Sequence, residues 1–276
     1  MEINKEVMQM RRICSFLITV TVLCMLARPA FSEDTVQRIG IISAMQSEVK
    51  LLLSEAEIDR VDQVGGLDFH VGTLRGKPVV IVKAGIGKVL AAAGTATLLN
   101  RYNISEVIFT GVAGGVGDET KVLDIVVGTG LVQHDLGKLS NDGFEWFDGS
   151  DDIGGWFACD KNLIALAWEA AVDTVGEDHV FQGVIATGDQ FVASEQYVKH
   201  LQSDFKALAC EMEGASVAAV CEQYGVPYVV LRTMSDKADG LAVSTYGAMV
   251  DTASDNSCRI VLKMLELMRD EQRPAA

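Results

Sequence analysis

The chain has 276 residues, of which 49% are hydrophobic and 22% are charged, and its formal net charge is −15. This composition is typical of a globular protein with a full-sized core, and it excludes disordered and fibrous classes. The negative charge repels nucleic acids and anionic membranes, so we expect neither as a partner.

The first 32 residues have the layout of a secretory signal peptide. Arg11 and Arg12 precede an apolar run over 13–27, and a site of small residues ends at Ser32. The alternative is an uncleaved membrane anchor, but this run has 15 residues with polar interruptions, whereas a spanning helix needs about 20 apolar residues. We therefore expect 1–32 to be removed, 33–276 to form one domain of net charge −17, and the protein to be exported to the periplasm.

Cysteines and histidines give no sign of a metal site or a disulfide framework. Four cysteines remain after residue 32, widely spaced and without a C-x-x-C pair. The four histidines are scattered and lack the spacing of metal ligands. We expect no metal, no cofactor and no disulfide framework.

Short β-branched runs alternate with helical stretches along the rest of the chain. In chain order the pattern predicts a strand at 38–43, a helix at 47–57, a hairpin of strands 68–74 and 79–84 turning at 75–78, a helix at 88–102, strands 106–110 and 124–132 joined by a glycine-rich loop, a helix at 161–175, a strand at 180–186, helices 194–205 and 213–224, a strand at 228–234 and a helix at 249–269. This alternation indicates an α/β layered fold with a central parallel or mixed sheet.

One long irregular segment, 134–155, interrupts the alternation. It is rich in Asp and Gly, yet large aromatic residues lie in or beside it: Phe144, Trp146, Phe147 and Trp156. Solvated loops have little reason to contain such side chains. They either pack onto their own domain as a satellite cluster or form a subunit interface or a pocket wall.

Ligands of open α/β sheets bind beyond the carboxyl ends of the strands, so the residues that follow each strand are informative. Here these are 44–48, 85–88, 111–115 and 235–236, and a fifth segment, 211–213, opens a helix. Each signal is weak by itself. The 85–88 segment lacks the spacing of a phosphate-binding loop, Glu211 and Glu213 fit the first turn of any helix, and Asp236 fits an N-cap.

Together these segments form a recognisable set. They read G-I-I-S-A-M-x-x-E (40–48), A-G-I-G-K-V (84–89), T-G-V-A-G-G (110–115), T-G-D-x-F (187–191), E-M-E-G-A (211–215) and R-x-x-S-D-x-A-D (232–239). In this order the chain closely resembles the methylthioadenosine/S-adenosylhomocysteine nucleosidases of the purine nucleoside phosphorylase/hydrolase superfamily. The resemblance implies a three-layer α/β/α sandwich with a central mixed sheet, and hydrolysis of the N-glycosidic bond of adenine thio-nucleosides.

The resemblance also assigns roles to individual residues. It implies that Glu48 activates the attacking water, Glu213 binds the ribose hydroxyls and Asp236 protonates adenine at N7. It places Arg232 and Ser235 beside them as supporting polar residues. Further residues fall where the family binds its substrate: Ala44, Met45, Ile86, Ala113, Gly114, Phe191, Val192, Glu211, Met212, Ala238 and Tyr246.

The chemistry explains why three carboxyl groups are needed. Breaking the C1′–N9 bond leaves a cationic sugar and an anionic base, so one group must protonate the base and others must stabilise the sugar and activate water, much as in glycoside hydrolysis. We expect burial to raise the pKa of Asp236, and the charge of Arg232 to keep Glu48 ionised. One departure concerns the water, because Val112 stands where family members often have a serine whose hydroxyl holds it.

Other functions remain open at this point. In nucleoside phosphorylases an arginine that clamps phosphate commonly precedes the turn at Thr110, but here Val107, Ile108 and Phe109 fill that strand. A non-catalytic exported nucleoside-binding protein and an aminodeoxyfutalosine hydrolase are further alternatives. The resemblance implies a homodimer, in which Phe144 is a candidate for a pocket wall given to the partner subunit.

Overall fold

The computed structural model describes residues 36–147 and 155–268, so the predicted signal segment 1–32 and its cleavage lie outside the described residues. The strands are β1 (Arg38–Ser43), β2 (Glu57–Val64), β3 (Leu67–Leu74), β4 (Lys77–Lys83), β5 (Ile104–Gly115), β6 (Ile125–Gln133), β7 (Gly137–Ser140), β8 (Gly143–Trp146), β9 (Trp156–Ala158), β10 (Val180–Thr187), β11 (Ala207–Glu211) and β12 (Tyr228–Asp236). The helices are α1 (Ser47–Glu55), α2 (Lys88–Arg101), α3 (Lys161–Val175), α4 (Glu195–Phe205), α5 (Gly214–Tyr224) and α6 (Ala242–Leu267), with a 3₁₀ turn at Glu177–His179.

A mixed ten-stranded sheet forms the centre, in the order β11-β10-β6-β12-β5-β1-β4-β3-β2, with β9 paired to β6. Strands β4, β1, β5 and β12 run parallel, whereas β12 and β6 are antiparallel. The end of β5 also pairs with β11, at Ala209 with Gly115 and Cys210 with Gly114. This extra pairing brings the carboxyl ends of β5, β11 and β12 close together.

Helices cover both faces of the sheet, because its central strands are apolar on both sides. In β1, Ile41 belongs to one core cluster and Ile42 to the other. The Ile42 side packs with α2 and α5, and the Ile41 side packs with α1, α3 and α6. The three-layer α/β/α sandwich with a central mixed sheet is therefore confirmed.

The ends of the elements have local causes. The β3–β4 hairpin turns at Arg75 and Gly76, both at positive φ, which is the backbone of the two-residue turn that matches strand twist. Helix α3 begins after Asp160, whose side chain accepts hydrogen bonds from the N–H groups of Asn162 and Leu163 at 2.9 and 3.0 Å. Such N-caps satisfy otherwise unpaired donors of the first turn.

Several predicted elements were wrong in extent. The helix predicted at 47–57 ends at Glu55, because β2 begins at Glu57, and the helix predicted at 249–269 begins at Ala242. The glycine-rich segment 111–115 is not a loop but the end of β5, held by β11 and β12. Strands β2, β7, β8, β9 and β11 were not predicted.

The segment predicted to be irregular contains a small hairpin, β7–β8. Trp146 packs edge-on against Phe205 with ring centroids 4.9 Å apart, and its indole N–H donates to the Gln133 carbonyl at 2.7 Å. This side chain therefore belongs to a satellite cluster. Phe144 and Trp156 are 44% and 48% exposed, so they are not packed in the same way.

The four cysteines among the described residues are free and buried. No helix in the described ranges is long and apolar enough to cross a membrane.

Candidate active site

A cleft opens at the carboxyl ends of β1, β5, β11 and β12 and encloses about 600 Å³ of space, part of it open to solvent. Its walls contain four carboxyl groups, a set of mostly apolar side chains and no basic residue among those described: Ala44, Met45, Glu48, Ile86, Val112, Ala113, Gly114, Gln190, Phe191, Val192, Cys210, Glu211, Met212, Glu213, Ser235, Asp236 and Tyr246.

Glu48 lies in the first turn of α1 and is 3% exposed. Its Oε2 accepts hydrogen bonds from the N–H groups of Ala44 and Met45 at 3.0 and 2.8 Å, and its Oε1 accepts one from Val112 at 2.9 Å. Burial raises the pKa of Glu48, while the charge of Arg232 and these three N–H donors oppose that rise. A carboxylate with a raised pKa is suited to accept a proton near neutral pH.

Glu213 precedes the first residue of α5 and is 6% exposed. Its Oε1 accepts a hydrogen bond from the N–H of Gly87 at 2.8 Å, and the two residues are 126 positions apart in the chain. Burial and the neighbouring charge of Glu211 raise the pKa of Glu213, partly opposed by Arg232. Gly87 has a φ of 94°, a conformation that favours glycine.

Glu211 and Arg232 form a buried ion pair behind the cleft. Arg232 Nη2 donates to Glu211 Oε2 at 2.5 Å and lies 3.9 Å from Glu213 Oε2. Glu211 also accepts hydrogen bonds from Thr187 Oγ1 and from the Gly214 N–H. Glu211, predicted to bind substrate, therefore directs its carboxylate oxygens to protein donors, and it holds the guanidinium near the other two glutamates.

Asp236 ends β12 and is 2% exposed. Its Oδ1 accepts a hydrogen bond from the Ala238 N–H at 2.8 Å, and its Oδ2 accepts one from Ser235 Oγ at 2.9 Å. Burial raises the pKa of Asp236 against both hydrogen bonds, as expected from the sequence. A buried carboxyl group that keeps its proton can act as an acid.

Two residues predicted for substrate binding do not line the cleft. Arg232 is 1% exposed and stacks on Phe109, with its guanidinium carbon 4.1 Å from the ring centroid. Ala238 is fully buried at a φ of 52° and contributes its N–H to Asp236. Both act on the cleft through the carboxylates that they contact.

Sequence reasoning missed two residues of the wall, Gln190 and Cys210. Each lies next to a residue that was predicted, Gln190 before Phe191 and Cys210 before Glu211, so adjacency was the available signal. Burial raises the pKa of the Cys210 thiol, which is therefore a neutral wall rather than a nucleophile. Val112 lines the cleft as well, and its contribution to Glu48 is made by its backbone N–H.

An aromatic contact closes one end of the cleft. Phe191 and Tyr246 meet edge to face with ring centroids 5.6 Å apart, and the Tyr246 hydroxyl donates to Met45 Sδ at 3.2 Å. Phe191 is 47% exposed, so this end lies at the mouth. The cleft thus combines a polar floor with an apolar, aromatic mouth, which suits a ligand with one polar and one apolar part.

A family model of the phosphorylase superfamily matches residues 38–266, which include every residue that lines the cleft. The chain belongs to this superfamily. Among solved structures, it is similar to a 5′-methylthioadenosine/S-adenosylhomocysteine nucleosidase from Neisseria meningitidis in complex with methylthio-immucillin-A, with a TM-score of 0.78 and 35% identity over 84% of this chain and 100% of that one.

Two curated relatives indicate which family within the superfamily this chain belongs to. A 5′-methylthioadenosine/S-adenosylhomocysteine nucleosidase from Aeromonas salmonicida is 36% identical over 83% of this chain and 98% of the relative. An aminodeoxyfutalosine nucleosidase from Helicobacter pylori is 37% identical over 84% and 99%. Within the superfamily, the chain is a member of the methylthioadenosine/S-adenosylhomocysteine nucleosidase family.

Proposed function

We propose that this chain hydrolyses the N-glycosidic bond of 5′-methylthioadenosine and S-adenosylhomocysteine, releasing adenine and the thioribose product. One observation carries the proposal: Glu48, Glu213 and Asp236 come from segments far apart in the chain and face a single cleft of nucleoside size. Relatives that carry this activity in their names are about 36% identical over most of the chain.

The surroundings of each carboxyl group support a division of roles. Asp236, whose pKa burial raises, holds a proton to give to the leaving base at N7. Glu48 takes a proton from the attacking water. Glu213, fixed by the Gly87 N–H through one oxygen, offers the other to the ribose hydroxyls. The negative charge of the cleft floor stabilises the cationic sugar that forms as the bond breaks.

The charge of the cleft favours water over phosphate as the attacking group. Phosphate binding in proteins relies on arginine or lysine donors. The described cleft wall contains no basic residue, and Arg232 behind it is already paired with Glu211. The ionised carboxylates of the cleft would repel a phosphate dianion. Phosphorolysis is therefore the weaker alternative.

Aminodeoxyfutalosine is a second candidate substrate. It is favoured by the similarity of this chain to the aminodeoxyfutalosine nucleosidase of Helicobacter pylori. The same carboxyl groups would serve, because only the group at the 5′ position differs between the substrates. That group would lie at the cleft mouth, beside Met45, Phe191 and Tyr246.

The test is adenine release by the purified protein in phosphate-free buffer. With 5′-methylthioadenosine we expect catalytic turnover that added phosphate does not accelerate. A strict need for phosphate would assign the chain to the phosphorylases instead, and tight binding of the nucleoside without adenine release would make it a binding protein. A parallel assay with S-adenosylhomocysteine and aminodeoxyfutalosine ranks the substrates.

We also propose that the protein is an exported homodimer. Export rests on the signal-like layout of 1–32, and the intact mass of the secreted protein, expected to begin near residue 33, tests it. The dimer is supported by exposed apolar side chains at the start of α2 and on the β7–β8 hairpin, among them Val89 and Leu139, which are 77% and 81% exposed. Apolar groups of this kind mark subunit interfaces.

A further inference from the structure

A closed ring of hydrogen bonds lies outside the cleft and joins two of its walls. Asp135 Oδ1 accepts a hydrogen bond from Lys88 Nζ at 2.6 Å, and Asp135 Oδ2 accepts one from the Asp189 N–H at 2.8 Å. Asp189 Oδ1 in turn accepts one from the Lys88 N–H at 2.8 Å. We call Lys88, Asp135 and Asp189 the latch.

Each end of the latch is directly bonded to a part of the active site. Lys88 follows Gly87, whose N–H donates to Glu213 Oε1 at 2.8 Å. Asp189 precedes the wall segment 190–192, which includes Phe191. A shift of the latch would therefore move the Glu213 anchor and the mouth of the cleft together.

The Lys88–Asp135 ion pair of the latch is partly buried, whereas Asp189 is exposed. The side chains of Lys88 and Asp135 are only 18% and 16% exposed, so water screens them less than an exposed pair. Burial by itself would raise the pKa of Asp135, but the hydrogen bonds from Lys88 and the Asp189 N–H, with the Lys88 charge, hold it below its ordinary value. Asp135 therefore stays ionised at working pH.

The segment that carries Asp135 is itself held in place. The N–H of the preceding residue, His134, donates to the Thr187 carbonyl at 3.0 Å. The His134 ring lies 2.9 Å from the Tyr197 hydroxyl through Nδ1 and is fully buried. The backbone beside Asp135 is thus fixed by these contacts. The two segments that Asp135 joins, at Lys88 and Asp189, follow the ends of strands.

We propose that Asp135 is a positioning residue for this reaction, which holds the N-terminus of α2 and the 188–192 segment in the arrangement that binds the nucleoside. The inference rests on the proposed function, in that its kinetic test needs a working enzyme. Asp135 touches neither the cleft nor the three carboxyl groups proposed to react, and it acts through Lys88 and Asp189.

The kinetic test compares Asp135→Ala and Asp135→Asn with a matched control. Asp173→Ala breaks the ion pair of Asp173 with Lys263, 3.2 Å long, between α3 and α6. For 5′-methylthioadenosine we expect kcat/KM per folded active site to fall at least tenfold in Asp135→Ala, mainly through KM, since misplaced walls weaken binding. Asp135→Asn, which keeps an acceptor for the Asp189 N–H, should lose less, and Asp173→Ala should keep the wild-type values.

Wild-type kcat and KM in folded Asp135→Ala would overturn the inference, as would a loss explained entirely by a smaller folded fraction. If Asp135→Ala does not fold, Asp135→Asn decides by the same criterion. In a double-mutant cycle, we expect Lys88→Met combined with Asp135→Asn to lower kcat/KM no more than the larger single change does. The reason is that both changes remove the same contact, between Lys88 and Asp135. Additive losses would contradict a shared latch.

A second measurement separates the latch from the proposed function. Hydrogen–deuterium exchange of the amides at 87–89 and 188–192 does not depend on turnover. We expect exchange to be at least tenfold faster in Asp135→Ala and unchanged in Asp173→Ala. If the wild type releases no adenine, the proposed function fails while this readout still tests the latch, and unchanged exchange would overturn the latch whatever the activity.

Discussion

Glu48 and Asp236 are both buried acids, but different donors surround them. Glu48 accepts hydrogen bonds from three backbone N–H groups, each of which stabilises its ionised form. Asp236 accepts one hydrogen bond from a backbone N–H and one from a hydroxyl group. Burial raises the pKa of both groups, so the surroundings decide which of them accepts a proton and which one gives it.

Asp236→Asn removes the proposed proton donor while keeping the shape of the side chain. We expect kcat to fall by about 10²- to 10⁴-fold, the usual range for loss of an acid catalyst, with a smaller change in KM. Steady-state adenine release measures both. Asp255→Asn, on an exposed residue of α6, is the matched control and should behave as wild type. A wild-type kcat in Asp236→Asn would remove this residue from the mechanism.

The pH dependence follows from the directions of the two pKa shifts. Asp236 must hold its proton, so the rate should fall as pH rises through its raised pKa. Glu48 must be ionised, so the rate should fall as pH drops through its own raised pKa. The profile of kcat/KM is thus expected to be bell-shaped, and a rate that stays constant from acid to alkaline pH in the folded protein would contradict both roles.

At the scale of elements, β5 is the strand on which the site depends. Three of its last residues, Gly111, Gly114 and Gly115, closely approach Glu48, Asp236 and Thr120, respectively. A Cβ at Gly111 would lie 2.5 Å from Glu48 Oε1 and 3.0 Å from Arg232 Nη1. The sequence predicted a loop here because glycine is depleted in strands, whereas the structure uses it for close approach within one.

Gly111→Ala tests this approach. The new methyl group must displace the Glu48 carboxylate, so we expect kcat/KM to fall at least tenfold and the protein to lose about 1 to 3 kcal/mol of stability from overpacking. Gly247→Ala is the control, because a Cβ there meets nothing within 4 Å on α6. It should keep activity and gain about 0.5 to 1 kcal/mol. Kinetics and thermal unfolding distinguish the two.

The predictability of elements depended on how completely they are buried. Strand β4 is a continuous apolar run whose residues alternate between the two core clusters, and such a run is visible in the sequence. Strand β2 is an edge strand, E-I-D-R-V-D-Q-V, and is largely exposed. Its charged residues hid it, because edge strands need few apolar side chains. Strand β11 has five residues, too few for a periodic signal.

At the scale of the whole molecule, the surface has exposed apolar side chains at the start of α2 and on the β7–β8 hairpin. Ile86, Val89 and Leu90 at the start of α2 are each more than half exposed, and Leu139 pairs across the β7–β8 hairpin with Phe144. Ile86 also lines the cleft. A partner subunit on this surface would therefore lie beside the cleft mouth.

Leu139→Asp combined with Phe144→Asp tests the proposed dimer. We expect the wild type to sediment as a dimer and the variant as a monomer, because two buried charges oppose association. Loss of an adjoining wall should also raise KM. Val61→Asp, on an exposed apolar residue of β2, is the control and should remain dimeric. A wild type that sediments as a monomer at micromolar concentration would refute the dimer.

The sequence by itself determined the layered fold and the strand ends that carry polar groups, because buried runs are local properties. The three carboxyl groups were singled out by the family resemblance of the motifs. Tertiary structure decided which groups meet. Only the folded chain places the Gly87 N–H on Glu213, pairs Arg232 with Glu211 and brings Asp135 to Lys88 and Asp189. These contacts join residues 21 to 126 positions apart. Local sequence patterns do not encode such pairings, because packing of the whole sheet sets them.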